Sequence, residues 1–126
     1  MNFWIEIETK QIIKLTESES SALKKFKLLV TLSYKKMPNQ DFIFYLKRYA
    51  KKERKTKKLI LKIDEQRMAY VKTLLMKMNY SEKDAAVKSS LFYKHLIGYH
   101  EMIRYEKQSS EYEHEVKIEL SQFIKY

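Results

Sequence analysis

The sequence predicts an all-α fold, and three observations predict it. Apolar residues recur at three- and four-residue intervals through most of the chain. Only one glycine and one proline occur in 126 residues, Gly98 and Pro38, whereas hairpins and phosphate-cradling loops draw on glycine for positive backbone angles. Serine- and asparagine-bearing turns separate the apolar stripes where helix caps are needed. The shortage of glycine also argues against an all-β fold, a Rossmann fingerprint and a P-loop.

About six helices in an antiparallel bundle account for the pattern. The first, over residues 2–15, places Trp4, Ile5, Ile12 and Leu15 on related faces. It is apolar from Phe3 with no cap ahead of it, which reads as a helix cut rather than begun. After a polar turn, Ser20 or Ser21 caps a second helix with the stripe Leu23, Phe26, Val30 and Met37, ended by Pro38. Asn39 caps a short third helix carrying Phe42, Ile43, Tyr45, Leu46 and Tyr49, which runs into residues 50–56 and breaks somewhere there. The fourth, over residues 57–78, carries Leu61, Met68, Val71, Leu75 and Met78.

Asn79 and Tyr80 make a turn, and Ser81 with Asp84 forms a serine-x-x-acid cap. The fifth helix runs from there to about residue 107. It has two adjacent stripes, Ala85, Ser89, Phe92, Leu96, Tyr99 and Ile103, with Ala86, Ser90, Tyr93, Ile97 and His100 beside them. A face this broad calls for neighbours on two sides. Ser109 and Ser110 cap a sixth helix over residues 111–126, with Tyr112, Val116, Leu120 and Phe123 in line.

The length suits one domain over residues 1–126. Hydrophobic residues make up 44% and charged residues 33%, a globular balance with enough apolar surface for a core. Cysteine is absent, which removes disulfides, thiolate metal sites and cysteine nucleophiles and suits a reducing compartment. The longest apolar run, residues 42–46, is far short of the roughly 18 residues a membrane span needs. The first residues lack the basic-then-apolar order of a secretory signal. The expected location is the cytoplasm.

The formal charge of +10 is concentrated. Between residues 47 and 62 stand Lys47, Arg48, Lys51, Lys52, Arg54, Lys55, Lys57, Lys58 and Lys62 against one acid, Glu53, so this stretch alone supplies +8. It reads as a solvated helix junction, or alternatively as a footprint for non-specific binding of nucleic acid or an acidic partner. Only Tyr49 offers a stacking surface there, which argues against base recognition.

No catalytic constellation is present, so no enzyme activity and no cofactor are expected. His95 and His100, five residues apart, point about 140° from one another on a helix and cannot share a ligand. Glu111 and His114 have the glutamate-x-x-histidine spacing that di-iron bundles use twice, but here it occurs once. No metal is expected. The serines lack a glycine-flanked nucleophile elbow. The aromatic excess, ten tyrosines, six phenylalanines and one tryptophan, is the remaining functional signal. Trp4, Phe26, Phe42, Tyr45, Met68 and Tyr93 lie on the apolar faces of five helices. Such side chains either fill a core or wall a pocket for a mainly apolar or aromatic molecule held by tyrosine hydroxyls.

The order of elements, with Phe3-Trp4-Ile5-Glu6 leading, the serine-acid cap Ser81 to Asp84 followed by Ala85 and Ala86, and Leu96-Ile97-Gly98 a dozen positions on, resembles the C-terminal effector-binding and dimerisation region of TetR-family transcriptional regulators. The resemblance implies a small effector bound between the helices and a homodimer through the last two long helices, joined as a four-helix bundle. The interface it implies would use Ala85, Ser89, Phe92, Leu96, Tyr99 and Ile103 with Val116, Leu120 and Phe123. The family's N-terminal helix-turn-helix is missing from the sequence. DNA would then be bound only through that absent head, or weakly and non-specifically.

Overall fold

The structure, a computed structural model, describes residues 2–37 and 54–126, with side chains from residue 6 onward. All regular elements among these residues are helices: α1 (Asn2–Glu17), α2 (Ala22–Tyr34), α3 (Arg54–Lys77), α4 (Glu82–Met102) and α5 (Tyr112–Leu120). The expected third helix, with Phe42 and Tyr45, lies outside the described residues, as do Pro38 and Asn39.

The caps explain where the helices begin. Ser21 Oγ accepts from the Lys24 amide at 3.2 Å, so Ser21 rather than Ser20 starts α2. Ser81 Oγ accepts from the Asp84 amide at 3.1 Å, with Glu82 and Asp84 placing negative charge in the first turn of α4. Between them, α3 closes on a left-handed residue, Asn79 at φ 76°. The Tyr80 amide reaches back to the Leu75 carbonyl at 3.1 Å and the Asn79 amide to Met76 at 3.1 Å. This is a Schellman closure with asparagine in the place glycine usually takes.

Two boundaries differ from the sequence expectation. α4 stops at Met102 rather than near residue 107, and α5 covers Tyr112–Leu120 rather than residues 111–126. The intervening chain has another task. Gln108 donates from Nε2 to the Tyr34 carbonyl at 2.7 Å and to the Tyr99 hydroxyl at 2.9 Å, and its Oε1 accepts from the Lys36 amide at 2.8 Å. A continued helix could not deliver Gln108 to the C-terminal end of α2, so tertiary bonding overrides helix propensity here. Ser109 does not cap α5 as an N-cap residue. It accepts from the Glu111 amide at 3.1 Å and donates to Glu115 at 3.1 Å, and Glu111 stands at the cap without a side-chain bond.

α3 lies along α4, and α2 packs against α1, α3, α4 and α5. The core joins Phe26, Leu29, Val30 and Tyr34 of α2 to Val71, Leu74 and Leu75 of α3, Ala85 and Phe92 of α4, and Val116, Leu120 and Ile124. Ring centroids lie 5.6 Å apart for Phe26 and Phe92, 5.8 Å for Tyr34 and Phe92, and 5.2 Å for Tyr34 and Tyr99, the last two edge-on. Each large apolar side chain buried this way contributes about 1.5–3 kcal/mol.

This packing changes the expectation for pairing. Ala85, Ser89, Phe92, Val116 and Leu120 are buried within one chain, and Leu96, Tyr99, Ile103 and Phe123 are half-buried. The broad stripe of α4 is met by α2 and α3, and α5 packs against α2. The covering of that stripe therefore does not require a second copy. The opposite face of α4 presents Val87, Leu91, Gly98 and Met102 to solvent. Among the described residues no helix is long and apolar enough to cross a membrane.

Candidate functional site

α1, α2, α3 and α4 line a partly open cavity of about 120 Å³. Its wall follows from helical spacing, since residues three and four apart share a face. Ile12 and Ile13 follow Glu8 and Thr9 on α1, Leu29 and Ser33 stand on α2, and Arg67, Tyr70 and Val71 come from α3. Phe92, Tyr93, Leu96, Ile97 and His100 complete it from α4. The aliphatic and phenyl groups make most of the surface, and the polar groups come from all four helices.

Those polar groups are connected. Arg67 Nε donates to Thr9 Oγ1 at 3.0 Å, tying α3 to α1, and Nη1 donates to the Tyr93 hydroxyl at 3.5 Å. The Tyr93 hydroxyl donates onward to Asp64 Oδ1. Burial pushes the Tyr93 phenol well above its ordinary range, and the bond to Asp64 adds to this while Arg67 opposes it. The hydroxyl therefore stays protonated at neutral pH. His100 Nε2 donates to the Ser33 carbonyl at 2.7 Å. Burial lowers the affinity of this imidazole for a second proton, against the pull of the same bond.

Glu8 is the strained member. Its Oε2 is buried and accepts no hydrogen bond among the described residues. Burial raises its pKa above the usual carboxylate range, and the Arg67 charge pulls it back only in part. A buried acceptor left unmade costs about 1–3 kcal/mol, a cost a functional cavity can carry.

Of the six residues expected to wall a pocket, three have described side chains, and of those Tyr93 alone lines the cavity. Phe26 is fully buried among Phe92 and Tyr126, with centroids at 5.6 and 5.0 Å, and fills the core instead. Met68 is half-buried on α3 and does not line the cavity. Phe42 and Tyr45 lie outside the described residues, as does the side chain of Trp4. Sequence reasoning passed over Glu8, Thr9 and Arg67, because polar residues on a helix read as its solvent side unless a neighbour covers them, whereas His100 stood on the second stripe of the fifth helix.

The histidines are separate. His95 engages Tyr34 and Glu119, His100 lines the cavity, and His114 is exposed on α5. Among the described residues no group of three or more histidine, cysteine, aspartate or glutamate side chains is placed to hold a metal ion. Of the basic stretch, Arg54, Lys55, Lys57, Lys58 and Lys62 fall on the first turns of α3, all exposed, while residues 47–53 lie outside the described part. Comparison with protein families, with curated proteins and with solved structures finds no match for this chain.

Proposed function

We propose that this chain is a regulatory domain like the C-terminal part of TetR-family regulators, sensing a small, mainly apolar molecule in the cavity between α1 and α4. The supporting observation is the cavity itself: an apolar wall with a few convergent polar groups, drawn from four helices, is the usual form of a small-molecule site. A dry cavity of about 150 Å³ holds a benzene-sized molecule, so 120 Å³ suits a single ring or a short branched chain. A ligand there touches every helix that packs on α2 except α5, so its presence is felt across the fold. Thermal-shift screening against small hydrophobic compounds tests the reading. A binder at a hundredfold excess over its Kd stabilises the chain by about 2.7 kcal/mol. No shift with any compound refutes it.

The same reading includes a homodimer, carried now by the outward face of α4. Val87, Leu91 and Met102 are exposed there, and around Gly98 an added methyl group would meet nothing. Light scattering at micromolar concentration tests pairing, with Leu91→Glu expected to return a dimer to monomer.

A second reading has its own observation. Five exposed cations, Arg54, Lys55, Lys57, Lys58 and Lys62, stand close together on the described part of α3, where like charges repel. Phosphates would relieve that crowding. Binding of this kind is indifferent to sequence and falls about 10³-fold or more between 50 and 200 mM salt for six or more contacts. A duplex titration at both salts decides it.

A further inference from the structure

The cavity holds one charge that no proton transfer can relieve. A buried glutamate such as Glu8 can neutralise itself by taking up a proton, but an arginine stays charged at every accessible pH. Arg67 lines the cavity beside Ile12, Val71 and Phe92. Its bonds go to two neutral oxygens, Thr9 Oγ1 and the Tyr93 hydroxyl. Among the described residues no carboxylate stands at ion-pair distance from it. Of the five N–H donors a guanidinium carries, these bonds use two, which leaves three for another acceptor. A guanidinium set in a largely apolar wall with no carboxylate hydrogen-bonded to it can donate charge-assisted hydrogen bonds to an anion delivered from outside.

We propose that the cavity takes a small apolar monocarboxylic acid, its carboxylate on the Arg67 guanidinium and its body against Ile12, Leu29, Val71, Phe92 and Leu96. This rests on the reading of the cavity as a ligand site and names the ligand's class. The surroundings agree with it. Thr9 and Tyr93 hold the guanidinium from α1 and α4 and so fix its direction. The net positive charge of the chain, +10, draws anions towards it.

The test uses three probes of one size, benzoate, benzyl alcohol and toluene, titrated by calorimetry into the full chain. Benzoate is expected to bind at least about tenfold more tightly than benzyl alcohol, the usual worth of a charge-assisted hydrogen bond. Arg67→Gln should erase that preference while changing toluene affinity less than about threefold, the scatter ordinary for a residue that only borders an apolar ligand. Glu8→Gln should leave the preference intact or enlarge it. If Arg67→Gln does not fold, Arg67→Lys keeps the charge without the planar fork and should reduce the preference without abolishing it. Inorganic phosphate, which reads the surface lysines, should not displace benzoate. Equal affinity for benzoate and benzyl alcohol, or a preference that survives Arg67→Gln, overturns the acid while the cavity reading stands. Failure of all three probes to bind overturns both.

Discussion

The hydroxyl of Tyr34 lies 2.8 Å from Nδ1 of His95, and the other ring nitrogen of His95 lies 3.3 Å from Glu119. A carboxylate can only accept, so Nε2 carries the proton and Nδ1 accepts from the phenol. Burial holds the Tyr34 phenol far above its ordinary range, which keeps it a donor. The chain of bonds joins α2, α4 and α5 through one part-exposed imidazole. Tyr34→Phe removes the donor without opening a cavity and should lower unfolding stability by about 0.5–1.5 kcal/mol. Urea denaturation checks it, and a larger loss would mean that the aromatic packing had shifted as well.

The turn at Asn79 makes a sharper prediction. Asparagine tolerates the left-handed region better than alanine, and glycine enters it without penalty. Asn79→Ala should destabilise by about 1 kcal/mol, whereas Asn79→Gly should be close to neutral. Ser81→Ala, two residues on, should lose about 1 kcal/mol by uncapping α4. Thermal melts of the three variants should therefore rank glycine above both alanine substitutions.

Gly98 sits in the interior of α4 with open space where its side chain would be. In an isolated chain Gly98→Ala should stabilise by about 1 kcal/mol, the difference in helix propensity. If a second copy packs on this face, the added methyl group enters the contact and the dimer weakens while the monomer gains. Melting temperature as a function of protein concentration separates the two outcomes.

Glu8 and His100 should impose opposite pH dependences. The folded His100 resists protonation relative to its ordinary value of 6.5, so the unfolded state binds more protons and stability is lost as pH falls from 6.5 through the folded pKa. The folded Glu8 holds its proton beyond the ordinary 4.5, so stability falls as pH rises from 4.5 through its folded pKa and is level above it. Relative to the parent chain, Glu8→Gln should gain stability as pH rises through that second window. His100→Gln should gain it as pH falls through the first. Denaturation midpoints between about pH 4.5 and 7.5 would show difference curves of opposite slope.

Local chemistry made much of this fold readable in advance. The caps at Ser21 and Ser81 and the turn at Asn79 need only the residue and its near neighbours, and they are found where the sequence places them. The stripes containing Phe26 and Val30 on α2 and Val71 and Leu75 on α3 are buried, while Leu23 and Leu61, in register with them, are exposed. The cavity was not readable. Arg67 and Glu8 carry the same residue types as the exposed faces of their helices, and only the meeting of four helices makes them interior. The aromatic residues pointed elsewhere, since Phe26 is large enough to suggest a pocket wall but fills the core. The end of α4 escaped notice for a related reason. Nothing in residues 103–111 is a helix breaker, and the partner of Gln108 is 74 positions away at Tyr34.

That distant clasp has a consequence for the order in which the fold becomes durable. The last carbonyl of α2 and the amide just beyond it are secured by a side chain from the far side of α4, not by their own neighbours. The C-terminal turn of α2 is thus complete only when the segment after α4 has docked, and it comes undone whenever that segment lifts. Amide hydrogen exchange at Lys36 should follow the opening of residues 103–111 rather than that of α2 itself. Gln108→Ala should speed exchange there while leaving the amides of Leu29 and Val30, deep in the middle of the same helix, almost as slow as before.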